Sequence, residues 1–166
     1  MINFKPIGFF KTDFTIKTGA PRQGRLQPET KGIIVLEEQY IEALNGLDKF
    51  EYIFVIFYFK EAKGWDNIVT PPRSKHQHGL FATRTPRRPN PIGLTLIKLE
   101  KIEGNKLFVS GVDAFDQTPV LDIKPFLPEL DYVDTEKNRK AEHDLRHHDD
   151  GFVKHDEVNK FVKGEE

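Results

Sequence analysis

The run Ile53-Phe54-Val55-Ile56-Phe57-Tyr58-Phe59 is apolar at every position. β-Branched and aromatic side chains in so short a stretch favour a strand, and a strand without polar alternation is covered on both faces or lines a closed barrel. Further strands are expected at 33–36, 94–99 and 107–112, each bounded by turn residues, and Gly104-Asn105 predicts an antiparallel hairpin between the last two. One helix is expected over 37–47, where Tyr40, Ile41, Leu44 and Leu47 recur at helical spacing and Asn45-Gly46 supplies the stop; it packs over a barrel end.

A chain of 166 residues suits one domain with an appendage. With no cysteine there is no disulfide framework, thiolate metal site or catalytic thiol. The N-terminus lacks an apolar signal core and 53–59 is too short to span a bilayer, so a soluble, cytoplasmic protein is expected. The formal net charge of -1 leaves any nucleic-acid function to charge arrangement.

That arrangement is uneven. Between Asp66 and Glu100 there is no carboxylate, while Arg73, Lys75, Arg84, Arg87, Arg88 and Lys98 stand around a run of prolines. The prolines exclude helix or central strand over 70–91 and leave a loop, ordered or disordered. An arginine fork matches phosphate or carboxylate bidentately, so the loop reads as an anion-binding surface, against the alternative of a solvated basic loop. Asn90, held between Pro89 and Pro91, has a directed amide.

Three further places carry chemistry. Ala20-Pro21-Arg22-Gln23-Gly24 sets a guanidinium and an amide beside a rigid proline and a permissive glycine; taken alone, a surface turn is the favoured reading. Lys60-Glu61 ends the apolar strand, either as ligand contacts at a barrel mouth or as an exposed charged pair. In Leu121-Asp122-Ile123-Lys124, alternation puts Asp122 and Lys124 on one face, where a structural ion pair is favoured over a proton-handling pair.

Pro21-Arg22-Gln23, Thr70-Pro71-Pro72-Arg73, Gly79-Leu80-Phe81-Ala82-Thr83-Arg84 with Arg88-Pro89-Asn90-Pro91-Ile92-Gly93, and Thr118-Pro119-Val120-Leu121-Asp122-Ile123-Lys124-Pro125 occur in an order that resembles the TrmO (YaeB or TsaA-like) family of tRNA methyltransferases, over about 4–131. The resemblance implies a mainly β fold, a compact TsaA-like barrel outside the Rossmann class with a few short helices, spanning 1–132, followed by a charged appendage at 133–166. It implies S-adenosylmethionine as donor, a homodimer, and tRNA engaged at the anticodon stem-loop, with no DNA or membrane partner. Family members methylate the exocyclic amine of threonylcarbamoyl-adenosine beside the anticodon of a threonine tRNA. By matched position, Arg22, Gln23, Gly24, Lys60, Glu61, Arg84, Leu94, Asp116, Gln117, Thr118 and Pro119 hold the donor. Gln117 replaces the glycine of the family's Asp-Gly-Thr-Pro, which either removes any requirement for a positive φ at that turn or has it met at some cost.

On this reading Asn90 and Asp122 orient the acceptor amine and take its proton, with Lys124 fixing Asp122. Arg73, Lys75, Arg87 and Arg88 engage anticodon-loop phosphates, and Phe81 or Tyr58 stacks on a base. A non-catalytic S-adenosylmethionine- or RNA-binding protein on the same barrel is the alternative. In the appendage, 152–162 is expected to form a short amphipathic helix or to be disordered. His143 and His147 lie one helical turn apart, but nothing completes a ligand set and no metal is expected.

Overall fold

The computed structural model describes residues 2–71, 74–145 and 152–153, with 143, 144, 152 and 153 as backbone only. Its strands are β1 (Gly8–Lys11), β2 (Ala20–Pro21), β3 (Lys31–Leu36), β4 (Tyr52–Tyr58), β5 (Ile68–Val69), β6 (His78–Gly79), β7 (Ile92–Glu103), β8 (Lys106–Ser110), β9 (Pro119–Pro125) and β10 (Phe152–Val153). Six of them close into a barrel in the order β1-β3-β8-β7-β4-β9, antiparallel throughout, with β9 returning to β1.

The apolar run is β4, flanked by β7 and β9. Ile53, Val55 and Phe57 are buried inside the barrel, while Phe54 and Ile56 are half-buried outside and Tyr58 is exposed. Phe59 falls just past the strand, its N–H bonded to the Pro91 carbonyl at 2.8 Å. Inside, Phe10 meets Phe57 edge-on at 5.9 Å. A Cβ at Gly93, which pairs with Phe57, would come within 2.3 Å of that ring, so the glycine of Asn90-Pro91-Ile92-Gly93 makes room for the core.

Two irregularities let the sheet close. The β7–β8 register shifts between Leu99 and Lys101, bending the long β7, and the β4–β9 register shifts between Ile56 and Phe57. Phe57 faces Val120 whereas Ile56 faces Asp122, leaving Leu121 as the extra residue. Strict alternation would send Asp122 inward with Val120. The bulge turns Asp122 and Lys124 outward.

The expected hairpin at Gly104-Asn105 is present, with Gly104 at φ 58. The helix expected over 37–47 is instead a 3-10 helix over Glu38–Leu44 and a second 3-10 turn over Leu47–Lys49, separated by Gly46 at φ 84. Only Leu44 is buried, with Tyr40 and Leu47 packed at the core's edge, too little apolar contact to sustain an α-helix of that length.

After the barrel come α1 (Pro128–Asp131) and α2 (Glu136–Leu145). Phe152 and Val153, expected in a helix or in disorder, form a strand instead, pairing with Pro21 and Ala20. Backbone pairing to β2 satisfies their polar groups where a lone short helix could not. The remainder of the appendage, His147 included, lies outside the described residues. Among the described residues no helix is long and apolar enough to cross a membrane, and no cluster of acids and histidines could hold a metal.

Candidate functional site

The segments singled out in the sequence meet through contacts between distant parts of the chain. Gln23 Oε1 accepts a hydrogen bond from Arg84 Nη1, and Gln23 Nε2 donates to the Arg22 carbonyl at 2.8 Å, which fixes the loop after β2 against the proline-rich segment. Gly24 donates its N–H to Asp113 Oδ2 at 3.0 Å. A Cβ there would lie 1.7 Å from the Gly111 carbonyl oxygen, so this glycine permits the close approach of the chain to its own backbone.

At the end of β4, Lys60 Nζ donates to the Asp116 carbonyl at 3.2 Å and lies 3.8 Å from Glu61. The turn 116–119 is seated on β1 and the chain after it: Asp116 Oδ1 accepts from Thr12 N–H at 3.1 Å, Gln117 N–H donates to Phe10, and Thr118 is buried. Gln117 has φ 59, the single positive-φ residue other than glycine among the described residues. Of the two alternatives, the left-handed conformation is the one adopted, without glycine and at about 1 kcal/mol.

Asp122 Oδ2 and Lys124 Nζ are 2.7 Å apart, and Asp122 Oδ1 accepts the Ile123 N–H at 2.9 Å. Asp122 and Leu94 both lie opposite Ile56, one on each side, so they share a row on the outer wall. Asn90 is exposed just before β7, its carbonyl accepting the Ile92 N–H at 2.7 Å.

The basic loop divides. Arg87 Nη2 lies 3.3 Å from Asp66 Oδ2, and Arg88 donates to the Thr83 carbonyl at 3.0 Å with its guanidinium 5.6 Å from the Phe81 ring centre. Both are half-buried and already engaged, whereas Lys75 and Arg84 are exposed; Arg73 lies outside the described residues. Two surface hollows, of about 270 and 210 Å³, lie one between β1 and β3 and one beside Tyr52 and Lys98; the first is lined in part by Gln117 and the second by Gly24, both expected from the resemblance to hold the donor.

The model of the tRNA-methyltransferase O N-terminal domain matches residues 9–132, which hold every site residue named above. The chain belongs to this family. It is 39% identical over 129 residues to an S-adenosyl-L-methionine-binding protein of Archaeoglobus fulgidus, covering 78% of this chain and 92% of that one. It is 38% identical over 150 residues to the Mus musculus tRNA (adenine(37)-N6)-methyltransferase, covering 86% of this chain but 35% of the mouse protein. The crystal structure of TrmO from Pseudomonas aeruginosa superposes with a TM-score of 0.67 at 38% identity, over 80% of this chain and 59% of that one.

In this TrmO-family barrel, Asp113, which heads the segment leading to Asp122 and Lys124, is the residue to which the sequence assigned no role. Its Oδ2 accepts from Gly24 N–H and, at 3.2 Å, from Thr95 Oγ1, and its Oδ1 is buried with no partner among the described residues. Desolvation pushes its pKa up from 3.8 to about 6, opposed by the hydrogen bonds from Gly24 and Thr95 and by the charge of Arg84. The signal in the sequence was faint, a lone acid between the apolar residues Val112 and Ala114, both of which the fold buries.

Proposed function

We propose that the protein transfers a methyl group from S-adenosylmethionine to the exocyclic amine of threonylcarbamoyl-adenosine beside the anticodon of threonine tRNA, in the cytoplasm. The observation that carries this reading is the family match over 9–132, a span that includes both the donor-side and the acceptor-side residues. The chemistry of the side chains suits the donor. Arg22 and Lys60 are cations for its carboxylate, Glu61 and Asp116 offer acceptors for hydroxyl and amino groups, and exposed Leu94 offers apolar surface for its base.

Bound there, the donor supplies a methyl group already activated by a positively charged sulfur, so positioning of the acceptor provides much of the acceleration. Asn90 orients the acceptor amine, and Asp122 takes the proton that nitrogen sheds as it gains the methyl carbon. The 2.7 Å contact with Lys124 supports this role by holding Asp122 in one orientation. Lys75 and Arg84 supply exposed cations for the RNA backbone.

A homodimer belongs to this reading. The pairs Tyr58–Ile92, Ile56–Leu94 and Phe54–Leu96 form an apolar outer wall with Leu94 58% exposed. A second copy seated on that wall would cover it and close over the open donor side.

Non-catalytic S-adenosylmethionine binding is a second reading, favoured by the Archaeoglobus fulgidus relative, which is named for binding alone and matched over nearly its whole length. Incubation with methyl-labelled donor and threonine tRNA, with and without threonylcarbamoyl-adenosine, separates the two. Label is expected in the modified tRNA only. Donor binding by calorimetry without transfer would establish the second reading in its place.

A further inference from the structure

The excursion between β4 and β7 leaves large apolar residues outside: Trp65 is 47%, Ile68 55% and Phe81 80% exposed. They share one small structure. Ile68 pairs with Gly79 in the β5–β6 ladder, and Leu80 N–H reaches the Asn67 carbonyl at 2.8 Å, so the chain leaving Trp65 runs alongside the turn that bears Phe81. That turn is anchored on both sides of Phe81. Leu80 and Thr83 are buried, and Thr83 Oγ1 donates to the Leu80 carbonyl at 2.8 Å. Phe81 is thereby fixed outward.

Arg87 and Arg88 bind, respectively, the chain beside one ring and the other ring itself. Arg87 holds Asp66, next to Trp65, and its Nη2 lies 3.7 Å from where a Cβ on Gly64 would stand. Arg88 is clamped by the Thr83 carbonyl and lies over the Phe81 ring. Asp66 is neutralised by Arg87, and no other carboxylate follows until Glu100, while Lys75 and Arg84 remain exposed nearby. Rings fixed in the open within a cationic, acid-free surface suit stacking on unpaired bases, because every base has a π-face and a phosphate attached.

We propose that Trp65 and Phe81 form a stacking platform for the unpaired bases of an RNA loop, with Arg87 and Arg88 as the brackets that present the rings. This rests on the tRNA reading above and assigns its RNA-facing surface. The platform commits to RNA over a second copy of the chain because the apolar groups are interleaved with the exposed cations Lys75 and Arg84, which would repel their own kind across a two-fold contact.

Trp65 is the sole tryptophan, so its emission reports on the platform alone. The full chain is titrated with an end-labelled anticodon hairpin of threonine tRNA that carries threonylcarbamoyl-adenosine, following RNA anisotropy and tryptophan emission together. Quenching in step with binding is expected, with about tenfold weaker affinity for Trp65→Ala and for Phe81→Ala, near-native affinity for Phe81→Tyr, and unchanged donor affinity by calorimetry. Hairpin binding without quenching, and with native affinity in both alanine variants, overturns the platform while leaving the tRNA reading intact. No hairpin binding by the unaltered chain overturns both. Loss of oligomer size in Trp65→Ala with hairpin affinity unchanged overturns the platform in favour of a contact between copies.

Discussion

In the barrel, Phe10 is wholly buried and meets Phe57 edge-on at 5.9 Å, whereas on the excursion between β4 and β7 Phe81 stands in solvent with the Arg88 guanidinium over its ring. The same side chain has opposite work in the two regions. Barrel strands satisfy their backbone groups through a closed ladder and draw their stability from apolar burial. The excursion has only the two-residue ladder of β5 and β6, and its shape depends on prolines and on arginines bonded to carbonyls and to Asp66. If the excursion meets RNA as proposed, stability and recognition are separated along the chain, and a substitution reveals which region it strikes.

The largest effect separates them directly. Phe10→Ala is expected to lower unfolding stability by about 4 kcal/mol, through lost transfer energy and the cavity left among Phe57 and its neighbours. Phe81→Ala is expected to change it by less than about 0.5 kcal/mol, since the ring is already wet. Urea unfolding of both variants measures the contrast. A comparable loss in Phe81→Ala would make that ring structural and collapse the distinction.

Asp113 tests the seam between the barrel and the loop after β2, because it joins Thr95 of β7 to Gly24. Burial raises its pKa from 3.8 to about 6, so between those values the folded state holds a proton that the unfolded chain has released. Stability contributed by this group therefore falls as pH rises through that window and is lowest above it, by about 3 kcal/mol for a shift of this size. Urea unfolding from acid to neutral pH is expected to show that decline in the native protein and to lack it in Asp113→Asn, whose amide oxygen still accepts from Gly24. Identical pH profiles would mean that the carboxylate is solvated and is no part of a buried seam.

The barrel was legible because β4 carries no polar residue and β7–β8 turn at Gly104-Asn105, both short-range signals. Other features depend on contacts that the sequence does not encode locally. The bulge at Leu121 decides which way Asp122 faces, and nothing in Val120-Leu121-Asp122 announces it. The 3-10 form of Glu38–Leu44 reflects how little core it reaches, although its spacing is helical. Among candidate site residues, the motifs brought Gln23, Arg84, Lys60 and Asp116 forward together, and the structure joins them in two contacts. The sequence does not tell that Asp66 and the Thr83 carbonyl engage Arg87 and Arg88, because those contacts depend on how the loop folds.

The smallest effect asks what those arginines do. The Arg87–Asp66 contact is 3.3 Å long and Asp66 is more than half exposed, so solvent screens it. A double-mutant cycle of Arg87→Ala and Asp66→Ala is expected to give a coupling of about 0.5 kcal/mol in global stability, shrinking further in high salt. The local consequence is larger than the global one. With the bracket removed, Trp65 should tumble more freely, and its steady-state emission anisotropy should fall in either single variant while the barrel's unfolding midpoint barely moves. Anisotropy that stays at the native value would show that Trp65 is held by the backbone turn alone, and that Arg87 is free to meet a phosphate.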